Sequence, residues 1–418
     1  MSRSTRKRSV RGAAITLWLA VALLSGASCT SDDIAAPTQR DSPEMGPALA
    51  ATAAVALSFR QVSSGSDHSC GVTADDLAYC WGSNWPGKLG TGTYVYQYCM
   101  DIAACITQPV AVLGGLRFRN VSAGYSHTCG VTTDFRAYCW GGNGGGTLGI
   151  GSTTGPDACD GNESTGPCSI RPVAVLGGLR FRQVEAGVGH TCGLTTDDVA
   201  YCWGSNWAGQ LGDGTTTTRT VPVRVLGGLL FRQISAGSSH TCAVTVDDHT
   251  YCWGRNNYGQ VGDGTKVPRS RPALVAGGRS FHQVDAGSDR TCAVTTGSRA
   301  LCWGLNDYGK LGDGTTTNRL KPRAVAGGIH FDRVTAGTRT TCGEATDDRA
   351  YCWGYGALTP VAVAGGLFFS QLSAGEYHIC GRTPAAVAYC WGSNSYGQLG
   401  DGTLTSRLTP VPVSPPAP

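Results

Sequence analysis

Fourteen cysteines stand in seven pairs, each pair ten residues apart: Cys70/Cys80, Cys129/Cys139, Cys192/Cys202, Cys242/Cys252, Cys292/Cys302, Cys342/Cys352 and Cys380/Cys390. No other feature constrains the fold as tightly. Successive first cysteines lie 59, 63, 50, 50, 50 and 38 residues apart, so the chain repeats a unit of about 50 residues with two insertions and one deletion. A period near 50 indicates a propeller or a solenoid rather than independent domains. Each pair brackets a segment such as HTCGLTTDDVAYCWG (190–204), two β-rich runs around the polar tip Thr196-Asp197-Asp198, which is the pattern of a hairpin. Folding about Asp197 sets Cys192 opposite Cys202, within the separation a disulfide tolerates. Zinc is disfavoured, because zinc knuckles space their cysteines far more closely.

Two further pairs, Cys99/Cys105 and Cys159/Cys168, fall inside the insertions. With Cys29 set aside, the remaining eighteen cysteines form an even set, as a disulfide framework requires. Such density requires an oxidising compartment. The amino terminus agrees: Arg3, Arg6, Lys7, Arg8 and Arg11 precede an apolar run from Ala13 to Leu24, followed by small residues. That run is too short to span a bilayer and reads as a secretory signal peptide over 1–28. Gly26-Ala27-Ser28-Cys29 resembles the bacterial lipobox, which would make Cys29 the lipidated first residue of the mature chain. Residues 29–56 mix Ala, Pro, Ser, Thr and Asp without an aromatic residue and read as a disordered tether. Loss of the five basic leader residues turns the formal charge of +4 into about −1, which removes the electrostatic footprint of a nucleic-acid binder.

Within one unit the runs Pro222–Val225, FRQISAG (231–237), HTCAVT (240–245) and TYCWG (250–254) supply four short strands, the number in a propeller blade. The chain begins its first unit at Leu57 without a PVxV strand and ends with Pro410-Val411-Pro412-Val413. The reading is therefore an all-β, seven-bladed β-propeller over 57–414, closed by pairing of the carboxy-terminal strand with the amino-terminal blade, with 415–418 as a tail. Closure leaves no open strand edges.

The unit WGxNxxGQLGDGT, with copies at Trp203–Thr215, Trp253–Thr265, Trp303–Thr315 and Trp391–Thr403, followed by AGxxHT and a YxWG strand, resembles the regulator of chromosome condensation repeat. The resemblance covers 57 to 413 and implies a seven-bladed propeller. It is weakly specific for function: members include a nucleotide exchange factor for the GTPase Ran, the plant ultraviolet-B receptor and a secreted bacterial inhibitor of β-lactamases. Paired cysteines behind a signal peptide place this chain nearest the secreted bacterial group. The second copy departs at Gly144–Gly149, and the sixth drops the GQLGDGT loop.

The tryptophans of the YxWG strands recur beside a cysteine in every unit and read as packing. The histidines His68, His127, His190, His240 and His378, replaced by Arg290 and Thr340, lie on separate blades and read as hydrogen-bonding strand residues. Asp213, Asp263, Asp313 and Asp401 precede glycine and read as turn chemistry. No catalytic set, cofactor motif or metal site stands out of the repeat. A binding site in a repeat protein is sought among residues the repeat does not explain. Candidates are Trp85, Tyr94, Tyr96, Tyr98, Met100 and Trp207, on the loops between blades, because exposed aromatic clusters are common hot spots.

The functional expectation is an exported, lipid-anchored monomer of the bacterial cell envelope, or a secreted one. It binds an extracytoplasmic protein or glycan through loops on one face, touches the membrane through its lipid alone, and uses no nucleic acid, metal or cofactor. Guanine nucleotide exchange and carbohydrate binding are the rival readings.

Overall fold

The structure is a computed structural model that describes residues 56–93, 98–99, 103–159 and 167–416. The signal peptide, Cys29, the tether and most of the first insertion lie outside the described residues.

Seven antiparallel sheets form a ring, a seven-bladed β-propeller. In the third blade the strands run in chain order from axis to rim: Phe181–Ala186, His190–Thr195, Ala200–Gly204 and Arg219–Arg224. Burial follows that order. The second strand is buried at every position, while the outermost is exposed or half-buried throughout. The innermost strand alternates, with Phe181 and Val184 buried and Gln183 turned toward the axis. A β-bulge between Phe181 and Gln183 lets Phe181 and Val184, three residues apart, share the apolar face. In the first two blades the insertions add the short strands Tyr98–Cys99 and Asp157–Ala158 at the rim.

Every regular cysteine pair sits in direct register across its hairpin, as in Cys192↔Cys202 and Cys242↔Cys252. All seven expected bridges form: Cys70–Cys80, Cys129–Cys139, Cys192–Cys202, Cys242–Cys252, Cys292–Cys302, Cys342–Cys352 and Cys380–Cys390, with Cα separations of 4.0–4.1 Å. Thirteen of these fourteen cysteines are fully buried, Cys139 and Cys302 among them. Cys352 differs: it is only partly buried, because the sixth unit lacks the loop that covers this strand in the other blades. Cys159 is bridged to Cys168. Cys105 is also disulfide-bonded; the side chain of Cys99, its expected partner, lies outside the described residues.

Closure of the ring differs from the sequence reading. Arg407–Pro412 pairs with Ala388–Gly392 in its own seventh blade, with Val411 opposite Cys390. The first blade takes its fourth strand from Ala103–Ala111. The reason is the phase of the repeat: the outer strand follows the YCWG strand of the same unit, so no strand is left over at either end. The first and seventh blades meet as other neighbours do. Val62 N–H donates to Gln371 Oε1 (3.1 Å), Ser64 N–H to Ser373 Oγ (2.9 Å), and Phe59 N–H to Ala386 O (2.8 Å). Phe59, Val62 and Trp81 share one core with Cys380, Cys390 and Leu399.

Candidate functional site

The face carrying the long loops is built by each blade reaching forward to the next. In the third blade the buried side chain of Asn206 organises the loop: its Oδ1 accepts Leu211 N–H (3.0 Å), and its Nδ2 donates to Thr215 O and Thr217 O (3.1 Å each). Asp213 accepts the Thr215 N–H (3.0 Å) and pairs with Arg219 at 2.9 Å. The aspartate of the GDGT segment is thus spent inside its own loop, and among the described residues no group of three His, Cys, Asp or Glu could hold a metal.

The loop so fixed delivers Leu211 into the core beneath the fourth blade. Its Gln210 carbonyl accepts both the Trp253 indole N–H (2.9 Å) and the Thr241 hydroxyl (2.8 Å). Gly212 follows at φ 70°, and a Cβ there would stand 2.7 Å from the indole nitrogen. Only glycine combines that backbone with that approach. The same clasp joins Lys88 to Trp140, Thr147 to Trp203, Gln260 to Trp303 and Gln398 to Trp81.

Among the described residues a second bond crosses six of the seven boundaries below the loops, the exception being that between the sixth and seventh blades, where Thr340 and Ile379 stand. His127 Nε2 lies 2.8 Å from the Thr191 hydroxyl, and His190 and His240 stand 2.9 Å from Thr241 and Thr291. Each of these hydroxyls already donates to a loop carbonyl, so it accepts from the histidine, which fixes the proton on Nε2. Arg290, standing in for histidine in the fifth blade, keeps the donor role through Nε to Thr341 (2.9 Å). Burial holds the ring pKa values near 3 for His127 and His240 and near 4 for His190 and His378, with neighbouring His190 adding to the effect on the first two. These histidines are neutral interblade staples.

At the axis, Gly65, Gly124, Gly187, Gly237, Gly287, Gly337 and Gly375 form a collar. Successive turns are hydrogen-bonded across it, as in Tyr125 N–H to Gly187 O (3.2 Å) and Glu376 N–H to Gly65 O (3.1 Å).

Around this collar, on the long-loop face, lie all the exposed tryptophans and tyrosines found among the described residues: Trp85, Tyr125, Trp207, Tyr308, Tyr355 and Tyr377. Trp85 and Trp207 are 59% and 62% exposed, but they sit on the first and third blades and do not form one patch. Tyr94, Tyr96 and Met100 lie outside the described residues, as does the side chain of Tyr98, whose backbone pairs with Ala104.

Between the sixth and seventh blades the forward clasp is missing. The chain runs from Trp353-Gly354 through Tyr355-Gly356 directly into the outer strand Ala357–Ala362. The place of the loop is a cleft of about 400 Å³. Trp391 and Ile379 lie at its base, Tyr355, Tyr377 and Leu408 along its walls, and Arg339 and Glu376 at its rim. Arg339 stacks between two rings, 5.1 Å from that of Tyr377 and 5.8 Å from that of Tyr355. Among the described residues the indole N–H groups that donate to no loop carbonyl are those of Trp391 and of Trp353, the latter buried although its blade does receive a loop. Sequence reasoning passed over this site. Its signal was the missing loop of the sixth repeat together with Ile379, which replaces the Ser or Thr found before the first cysteine in the other six units.

The RCC1-like domain family matches residues 26–363, and two forms of the regulator of chromosome condensation (RCC1) repeat match 387–417 and 369–398. The ultraviolet-B receptor UVR8 of Arabidopsis thaliana is 32% identical over 161 residues, 38% of this chain and 32% of that protein. The probable E3 ubiquitin-protein ligase HERC6 of Homo sapiens is 30% identical over 150 residues, 36% of this chain and 13% of that protein. The matches thus span a third or less of these relatives. Among solved structures, human WBSCR16 superposes with a TM-score of 0.71 at 22% identity, covering 81% of this chain and 95% of its own. Prp20p from Saccharomyces cerevisiae gives 0.68 at 17% identity, covering 82% and 87%. Both similarities concern the fold.

Proposed function

The chain belongs to the RCC1-like domain family, and on that premise we propose that it is an exported protein-binding propeller, tethered to a bacterial envelope membrane through Cys29, that engages its partner with the long-loop face. The observation that carries the choice of face is the gathering there of every exposed tryptophan and tyrosine among the described residues. Aromatic side chains dominate binding energy at protein interfaces. The opposite face offers Phe368 and scattered aliphatic residues.

Export is supported by the bridging of all seven hairpins, a state that reducing compartments do not sustain. Among the described residues no helix is long and apolar enough to cross a membrane; attachment in this reading is through the lipid on Cys29. Nucleotide exchange is the rival: the structure of Prp20p is described with its binding to Gsp1p and histones, but that likeness is one of fold, and the bridges argue against a cytosolic partner. The ligase named for HERC6 shares only a small part of its length with this chain.

The test places a photo-crosslinking amino acid at 207, 377 or 368 in the full-length protein expressed with its own leader. Adducts from 207 or 377 and none from 368 support the long-loop face; the reverse overturns it. Intact mass of the membrane fraction supports the anchor if the chain starts at Cys29 with a diacylglyceryl group, and refutes it if the leader is retained.

A further inference from the structure

We propose that the cleft between the sixth and seventh blades receives a loop from another protein, and that this loop carries the sequence acidic–aliphatic–glycine. The inference deepens the reading that this face binds protein, and rests on it.

What the cleft would hold can be read from the other boundaries. There the same space is filled by an aliphatic residue, one of Leu89, Leu148, Leu211, Val261, Leu311 and Leu399, each fully buried. A glycine with φ between 68° and 78° follows it and lies flat on the indole of the next blade. Wherever the bond to that indole forms, the residue before the aliphatic one supplies the accepting carbonyl. At the sixth boundary the receiving parts remain: the Trp391 indole, its unpaired N–H, and an apolar floor made more so by Ile379. A segment folded like the missing loop meets all three.

Charge specifies the first residue. In the first blade the loop residue before the leucine is Lys88, which pairs with Asp67. Arg339 occupies the position of Asp67 in the sixth blade. Its guanidinium is held by two rings and pairs with no carboxylate among the described residues. The polarity is reversed, so the incoming residue at the place of Lys88 is Asp or Glu, with its carboxylate on Arg339 and its carbonyl on the Trp391 N–H. The aliphatic side chain then covers Ile379, and the glycine lies against the indole.

The probe is a cyclised peptide with the sequence of residues 306–318 and the substitution Lys310→Glu, titrated against the full-length protein by calorimetry. Saturable 1:1 binding is expected. The same peptide with Gly312→Ala should bind at least about tenfold more weakly, since alanine resists the left-handed backbone and meets the indole. Arg339→Glu should reverse the preference, favouring the peptide that keeps Lys310. Grafting residues 306–318 between Tyr355 and Ala357 should fill the cleft and abolish binding.

Absence of binding, equal affinity of the Gly312→Ala peptide, or undiminished binding to the grafted protein would each overturn the proposal. If the peptide fails while crosslinks still form from positions 207 or 377, the proposed loop is wrong and the binding face stands. If both fail, the face is wrong as well.

Discussion

The Glu344 carboxylate accepts a hydrogen bond from the main-chain N–H of Leu372, across the boundary between the sixth and seventh blades. At five other boundaries the corresponding N–H goes to a glutamine on the innermost strand, as in Val284 to Gln233 (2.9 Å) and Val334 to Gln283 (3.1 Å). The sixth blade carries Arg333 where that glutamine would be, and Glu344 reaches the same N–H from the second strand, where the first five units have Val or Leu.

Burial raises the Glu344 pKa to about 7, against the pull of the Leu372 N–H and of Arg333; Asp332 adds to the rise and Arg382 opposes it. A carboxyl raised on folding favours the native state fully below its unfolded pKa, and that advantage is lost as pH climbs through 7. Glu344→Gln keeps the acceptor and removes the titration. The variant should match the parent near pH 4.5 and exceed it above pH 7, by up to about 3 kcal/mol. Urea denaturation at both pH values measures the difference; a constant offset would show that Glu344 does not titrate on folding. The comparison must be between variant and parent, because the buried histidines push the other way. Held neutral by low pKa values, they stabilise the fold above about pH 6.5 and lose that contribution as pH falls.

The histidine tautomer is directly observable. Nitrogen-15 spectra should show His127, His190 and His240 protonated at Nε2, with no titration between about pH 5 and 9. Thr291→Val removes the acceptor for His240 and the hydroxyl bonded to the Gln260 carbonyl at 2.8 Å. The expected cost is about 1–3 kcal/mol, set by the buried His240 ring N–H left unsatisfied, since the Gln260 carbonyl keeps the Trp303 indole N–H (2.9 Å).

The axial collar should tolerate no side chain. A Cβ on Gly124 would fall 2.6 Å from the Gly187 carbonyl oxygen. Gly124→Ala should therefore cost about 1–3 kcal/mol and speed amide exchange at Tyr125, whose N–H bonds that carbonyl. Gly114→Ala meets no neighbouring atom but sits at φ 103°, so its cost reports backbone strain alone.

Breaking one staple should be local. Cys242→Ser with Cys252→Ser opens a loop of ten residues' separation and is expected to cost about 3 kcal/mol in the chain-entropy account. Far-UV circular dichroism should be unchanged, and the other bridges should resist alkylation until the chain is unfolded.

The blade was legible in the sequence because its constraints are local. Ten-residue cysteine spacing and a polar tip at Asp197 fix a hairpin register, and Cys192 does face Cys202. The ring closure differs from the sequence reading because a repeat has no marked first strand: Pro410–Val413 reads as left over only if each unit begins with its PVxV run, whereas the run at Ala111 and Val110 pairs with Tyr79 and Cys80 of the unit before it. Of the exposed aromatic residues on the long-loop face, Trp85 and Trp207 were legible in the sequence, each conspicuous as a residue the repeat does not require. The cleft was missed for the opposite reason. It arises from residues the sixth unit lacks, and its lining, Trp391 above all, belongs to the repeat itself.

Because each unit hands its loop forward and never back, a change in one copy falls on its successor. The short sixth unit leaves the fifth unit's loop in place, with Leu311 buried and the Thr341 hydroxyl on the Lys310 carbonyl at 2.8 Å, and uncovers the seventh, where Ile379 stands in place of a hydroxyl. The ring therefore has a direction: a lost or altered loop is felt by the blade that follows it in the chain.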